Sequence, residues 1–222
     1  MLGKIFDALS GKKNLLDEAR QQAVTMLMTD RRMFELVTRA LKDEASQHIR
    51  ERILGMDKEV NQQQRSVRKK VFEHLTFSRG QDLLQGLELT IAVIDLERIG
   101  DYNKNISELA DIQSGKMNLG KHEGLLEEAV AVTSEMFDAC MLAFSKQDMD
   151  SANLVMEKYQ RISSLCDGTL AELVSLAQEK DSLPKDEVTL MLLLRHIKRV
   201  AAHLKNIASA IVNPYHRIGF RA

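Results

Sequence analysis

Proline, glycine and aromatic residues are scarce in this chain of 222 residues. There are two prolines, eleven glycines and no tryptophan, and aromatic residues make up 5% of the sequence. The residues that favour helices, Ala, Leu, Glu, Lys, Gln, Arg and Met, are abundant instead. This composition is typical of long helices and predicts an all-α protein.

An excess of one charge sign is also absent, since 31 Lys and Arg face 32 Asp and Glu, for a net charge of −1. Near-neutrality argues against a dedicated nucleic-acid binder. No apolar run approaches membrane-spanning length and the N-terminus lacks the apolar core of a signal peptide, so we expect a cytoplasmic protein. Cys140 and Cys166 lack CxxC spacing and fit reduced core thiols, with a disulfide between them as the alternative.

Motifs for catalysis are missing too. The sequence has no glycine-rich phosphate loop, no GxSxG, no HExxH, no Cys/His zinc spacing and no ExxH pairs of a di-iron bundle. Its six histidines are scattered, and nothing pairs a nucleophile with a base. We therefore expect a protein that is not an enzyme.

The chain does contain an internal repeat. Residues 95–106 return in degraded form at 196–207, an offset of 101 residues that keeps Arg98, Lys104, Asn105 and Ile106. A second phrase, Leu-Leu-Asp-Glu-Ala at 15–19, returns as Leu-Leu-Glu-Glu-Ala at 125–129, an offset of 110 residues. Repeats set the architecture, so we expect two similar halves, with about ten extra residues inserted between residues 28 and 50.

Apolar residues at helical spacing predict three long antiparallel helices in each half. The expected fold is therefore two tandem three-helix bundles with six long helices. Asn14 is a suitable N-cap for the first helix, and the second carries an apolar stripe from Ile49 to Leu75. The other helices are expected near 81–112, 122–147, 150–180 and 185–212. The expected divisions are a leader (1–13), a first bundle (14–114), a second bundle (121–212) and a tail (213–222), which either packs back or docks elsewhere.

Four polar residues of the first half form a candidate cation site. Glu97 and Asp101 are four residues apart, on the helix face opposite the buried Ile99, where their charges repel each other. Asp57 and Asn61 share this spacing on the preceding helix, and Asp57 lies at the edge of the apolar stripe, where a carboxylate needs a partner. Three carboxylates and an amide oxygen suit a divalent ion. The alternatives are a solvated acidic face and an Asp57 paired with a lysine or arginine.

Basic residues cluster in the second half, at Arg195, Lys198 and Arg199. Three interpretations stay open for this cluster: a solvated face, a surface for a partner, or a contact with an anion such as phosphate.

Two segments make the chain resemble the PhoU family. They are Asp57-Lys58-Glu59-Val60-Asn61, and Glu97-Arg98-Ile99-Gly100-Asp101-Tyr102 followed by Asn105-Ile106. The resemblance spans roughly 14–212. It implies cytoplasmic pairs of three-helix bundles, often homodimers, that bind metal at E/DxxxD motifs. It also implies negative regulators of phosphate uptake and of the phosphate-starvation response.

The partners that the resemblance implies are the ATPase of a phosphate ABC transporter and a sensor histidine kinase, so the membrane is reached only through a partner. Carried over by position, the metal ligands are Asp57, Glu97 and Asp101, with Asn61 as a weaker member. The metal would be Fe, Zn, Ni or Mg, and a chain without any metal is the alternative.

The second half departs from the family pattern. At an offset of 100 or 101 residues, the positions of the four candidate ligands hold Glu157, Arg161, Lys198 and Ala202. We expect Lys198 to form an ion pair with Glu157, and at most one metal site per chain, in the first half. The departure also keeps open an alternative function, a metal-free helical adaptor for another transporter such as a sodium–phosphate cotransporter.

Overall fold

Six long helices make up the fold. The structure is a computed structural model that describes residues 2–41, 49–78, 80–113, 115–179 and 184–220, with side chains from residue 15 onward. The helices are α1 (Leu2–Ala40), α2 (Ile49–Phe77), α3 (Leu83–Gln113), α4 (Glu123–Lys146), α5 (Met149–Glu179) and α6 (Lys185–Val212). No strand occurs in these ranges, and the predicted all-α class with six long helices is confirmed.

The start of α1 differs from the prediction. The helix begins at Leu2 rather than near Asn14, so the prediction of a loose leader there is wrong. Gly3 and Gly11 suggested a break, but one glycine costs a helix only about 1 kcal/mol and does not end it. The insertion predicted between 28 and 50 falls partly on 42–48, outside the described residues.

Each half packs as an antiparallel three-helix bundle, α1–α3 and α4–α6. In the first bundle, the amide of Gln64 donates to the carbonyl of Val93, while Lys104 reaches Asp57. Numbering therefore rises along α2 as it falls along α3, which is the antiparallel arrangement. The predicted apolar stripes are buried, including Ile53, Val60 and Val67 on α2 and Leu96, Ile99 and Ile106 on α3.

The two bundles meet along α3 with α6 and α1 with α4. At the second contact, the rings of Phe34 and Phe137 lie 5.6 Å apart and both side chains are fully buried. At the first, Asp95 Oδ1 lies 2.6 Å from His203 Nδ1, and the ring of Tyr102 stacks on His203 at 5.6 Å. Because α3 packs on α1 and α2 within its own bundle and on α6 of the other, only a narrow stripe of its surface faces solvent.

The tail packs back on α6. The main-chain N–H of Gly219 donates to Ser209 Oγ at 2.7 Å, and the amide of Asn213 donates to the carbonyls of Arg217 and Phe220. Cys140 and Cys166 are separate, buried thiols rather than a disulfide, as one of the two sequence interpretations held. Among the described residues, no helix is both long and apolar enough to cross a membrane.

Candidate functional site

The four predicted ligands come together between α2 and α3, because antiparallel packing brings their two helices to one level. Asn61 donates its amide to Asp57 Oδ2 at 3.3 Å and to the Asp57 carbonyl at 3.0 Å. Its nitrogen rather than its oxygen therefore faces Asp57. The side chains of Glu97 and Asp101 are 19% and 29% exposed. They are half-buried and not on an open face as expected, because α3 packs on both bundles.

Asp57, Glu97 and Asp101 form an acidic group on the first bundle. Two basic side chains already compensate the negative charge of this group. The ammonium of Lys104 lies 2.8 Å from Asp101 Oδ1 and 3.4 Å from Asp57 Oδ2, and Arg98 lies 3.2 Å from Asp101 Oδ2. Partial burial lowers the pKa of Lys104, but the hydrogen bond to Asp101 and the charges of Asp57 and Asp101 outweigh burial, and the net pKa is raised. The alternative in which Asp57 pairs with a lysine thus matches the structure.

Of the three predicted carboxylate ligands, Glu97 has the weakest compensation by positive charge. Partial burial and the charge of Asp101 raise its pKa above the ordinary value, against the opposing charge of Arg98. Within the described part of the chain, its ion pair is with Arg98, whose Nε lies 3.8 Å from Glu97 Oε2. A further cation beside Glu97 would therefore be favourable.

Sequence reasoning missed a fourth acidic position, Asp30 on α1. Its side chain is fully buried and neither carboxylate oxygen has a hydrogen-bond partner. A Cβ added at Gly100 would stand 3.3 Å from Asp30 Oδ1 and 3.6 Å from Asp57 Oδ1, which also lacks a partner. Burial, together with the charges of Asp57 and Glu97, raises the pKa of Asp30 well above its ordinary value.

A signal for Asp30 was present in the sequence. It occupies the apolar stripe of α1, between the buried Leu27 and Phe34. Asn103 breaks the α3 stripe in the same way, and its amide donates to the Asp30 carbonyl at 3.1 Å. A charged or amide residue inside an apolar stripe needs an explanation, and these two mark the buried side of the acidic group.

The carboxylate oxygens of the acidic group suit a hard or borderline cation, but in the structure they hold the Lys104 ammonium. In the parts of the chain that the structure describes, no three His, Cys, Asp or Glu side chains converge as a metal ion requires. The group offers carboxylate oxygens, two of which belong to Asp30 and lie buried without partners. Chemically it can hold a cation, either the Lys104 ammonium or an ion in its place.

The second bundle follows a different register from the one inferred from sequence. Lys198 pairs with Asp167 at 2.6 Å and not with Glu157, so the predicted ion pair is wrong, and Arg161 pairs with Glu128. The reason is that residues of α5 correspond to residues of α2 at an offset of 102, and not at the offset of 100 inferred from the sequence. At that offset, the buried residues of α5 repeat those of α2: Val155, Ile162, Thr169 and Leu173 correspond to Ile53, Val60, Val67 and Val71.

With this register, the second bundle replaces every acidic member of the group. Tyr159 stands where the first bundle has Asp57, and Cys140 where it has Asp30. Lys198 replaces Glu97, and Ala202 replaces Asp101. The lysine contact between the helices is also repeated. Lys205 lies 5.4 Å above the Tyr159 ring, and its counterpart Lys104 lies beside Asp57.

Fold and site together define an all-α protein, a pair of three-helix bundles with a group of acidic side chains on the first of them. The profile of the PhoU domain matches this chain twice, at residues 23–110 and 126–211. The matches cover most of the chain, and the protein belongs to the PhoU family.

Relatives and solved structures agree with this family. A Pseudomonas aeruginosa protein described as a "phosphate-specific transport system accessory protein PhoU homolog" is 25% identical over 175 residues, covering 76% of this chain and 71% of the relative. A Synechocystis protein of the same description is 23% identical over 167 residues, 72% and 71% of the two chains. The crystal structure of PhoU from P. aeruginosa superposes with a TM-score of 0.82 at 22% identity, covering 90% of this chain and 96% of that one. A Streptococcus pneumoniae phosphate transport system regulatory protein PhoU gives 0.79 at 20% identity, covering 90% and 95%.

Proposed function

We propose that this protein is a negative regulator of phosphate uptake and of the phosphate-starvation response, and not an enzyme. The observation that carries the proposal is the pair of PhoU domains at 23–110 and 126–211. The descriptions of relatives as accessory proteins of phosphate-specific transport support the same role.

The regulator would act by binding other proteins, with a phosphate ABC transporter ATPase and a sensor histidine kinase as partners. Exposed apolar side chains at the α2–α3 end suit such contacts: Phe72 is 72% exposed, Leu83 50% and Leu84 54%. The protein would work in the cytoplasm as a homodimer, reach the membrane only through its partner and bind no nucleic acid.

A divalent cation on the first bundle is part of the proposal. Its ligands would be Asp57, Glu97 and Asp101, with Asn61 turning its amide oxygen inward. The ion would be Fe, Zn, Ni or Mg. Support comes from the weakly compensated Glu97 and from the unpartnered Oδ1 of Asp57. The ion would take the position of the Lys104 ammonium, and removing that charge should therefore favour metal binding.

One observation favours a second candidate, a metal-free adaptor for another transporter such as a sodium–phosphate cotransporter. Lys104 bridges Asp101 and Asp57 at 2.8 and 3.4 Å and supplies the positive charge that the carboxylates need. An adaptor of this kind would use the first bundle only as a docking surface.

The regulatory role is tested by deleting the gene and measuring phosphate uptake and a phosphate-starvation reporter at high phosphate. Both should rise after deletion and return to normal with the wild-type gene. The double variant Glu97→Ala/Asp101→Ala should fail to restore them. Its matched control is Glu123→Ala/Glu127→Ala, an exposed acidic pair with the same spacing on α4, which should restore them fully. Unchanged uptake and reporter after deletion would contradict the regulatory role, while full rescue by the Glu97 variant would favour the metal-free adaptor.

A further inference from the structure

A basic cleft occupies the second bundle at the position equivalent to the acidic group of the first. It lies between α5 and α6 and has a volume of about 210 Å³. Its lining residues are Tyr159, Asp167, Leu170, Arg195, Lys198, Arg199 and Ala202. Three of these replace first-bundle residues, with Tyr159 for Asp57, Lys198 for Glu97 and Ala202 for Asp101. The small Ala202 leaves room where an acidic side chain stands in the first bundle.

The charges in the cleft are not balanced. Lys198 is neutralised by Asp167, with both carboxylate oxygens 2.6 Å from its ammonium. Arg195 and Arg199 form no ion pair with any residue in the described ranges. They are one helical turn apart on α6, where like charges repel each other. The cleft therefore keeps two uncompensated positive charges on side chains one helical turn apart.

We propose that this cleft binds a tetrahedral dianion, namely phosphate or the phosphoryl group of a phosphomonoester. Guanidinium groups present planar pairs of N–H donors that match the oxygens of a phosphoryl group. Two such groups provide the charge that a dianion requires, and the half-buried side chains of Tyr159 and Leu170 line the cleft beside them. Lys198 becomes a third cationic donor when the anion competes with Asp167 for its ammonium group.

The proposed anion site shares no residue with the proposed metal site. Its members come from α5 and α6, and those of the metal site from α2 and α3. A chain without metal can bind the anion, and loss of either site leaves the other. The repeat would thus have diverged into one half that attracts cations and one half that attracts anions.

Calorimetric titration of the whole chain tests the proposal, with inorganic phosphate and phenyl phosphate as separate probes at constant ionic strength. At least one probe should bind saturably. The variant Arg195→Gln/Arg199→Gln should bind at least about tenfold more weakly, because each guanidinium contributes charged hydrogen bonds. The variant Asp167→Asn should bind more tightly than wild type, because it frees Lys198. Binding of phenyl phosphate alone would identify the ligand as a phosphorylated molecule, and binding of both probes would include the free ion.

The matched control is Arg65→Gln/Arg68→Gln, which removes the same charge from exposed positions on α2. It should bind the probe like wild type. Thermal unfolding followed by circular dichroism checks that each variant is folded. The proposal is overturned if neither probe binds, if the Arg195 variant binds as tightly as wild type, or if the α2 control loses as much affinity.

Discussion

The buried Asp30 makes a specific prediction about stability. Its side chain is fully buried and both carboxylate oxygens lack hydrogen-bond partners. An unsatisfied buried polar group costs about 1–3 kcal/mol, and more when it is charged. Asp30→Asn keeps the shape, cannot ionise and adds two N–H donors near Gly100, where Asp57 Oδ1 lacks a partner. We expect the variant to be about 1–3 kcal/mol more stable than wild type at pH 7 in EDTA.

The pH dependence follows from the raised pKa of Asp30, caused by burial and by the charges of Asp57 and Glu97. The folded protein holds this proton more firmly than the unfolded chain, so stability falls as pH rises from the ordinary Asp range towards the folded pKa. The slope for one such proton is about 1.4 kcal/mol per pH unit. The advantage of Asp30→Asn should therefore be small at pH 4 and grow towards neutrality.

Urea unfolding between pH 4 and pH 7, with EDTA present, measures both quantities. The control is Asp17→Asn, an exposed aspartate on the same helix, which should leave the pH slope as in wild type. If Asp30→Asn is less stable than wild type at pH 7 and shows an unchanged slope, the buried carboxyl is not a cost to the metal-free fold, and the assignment of its burial is wrong.

Three further predictions concern the core and the contact between the bundles. Burial raises the pKa of the thiols of Cys140 and Cys166 from 9.0 to about 12. Both thiols should therefore react with Ellman's reagent at pH 8 about a thousandfold more slowly in folded than in unfolded protein. Fast labelling of the folded protein would contradict this. Phe137→Ala should lower the free energy of unfolding in urea by about 3–5 kcal/mol, since its buried ring fills the contact between bundles; a loss below about 1 kcal/mol would contradict this. Asp95→Ala should cost about 1.5–3 kcal/mol in the same assay, because it removes the charged hydrogen bond to His203; a neutral effect would show that this bond contributes nothing net.

Most of the fold could be predicted from the sequence. Helix periodicity and the internal repeat can be read from the sequence itself. They indicated the all-α class, the number of helices and most helix boundaries within a few residues. The start of α1 was missed because Gly3 and Gly11 weaken a helix without ending it. The relative register of α2 and α5 was also missed, because the offset of 102 residues shows in which positions are buried and not in matching residue types.

The candidate site was only partly predictable. The shared level of Asp57 and Asp101 follows from antiparallel packing, and the structure places both beside Lys104. Compensation by Lys104 could not be read from helix spacing alone, since its side chain spans two helices. Asp30 belongs to a third helix, so only packing reveals its position near Gly100.

The central claim is that the acidic group of the first bundle holds a divalent cation. Purified wild type should be stripped with EDTA, offered Fe, Zn, Ni or Mg in turn, and analysed for bound metal by elemental analysis. We expect wild type to retain at least one of these metals, Lys104→Gln to retain it more tightly, and Glu97→Ala/Asp101→Ala to lose it. Wild type that stays empty with every metal, or a double variant that binds as well as wild type and as the Glu123→Ala/Glu127→Ala control, would contradict the claim.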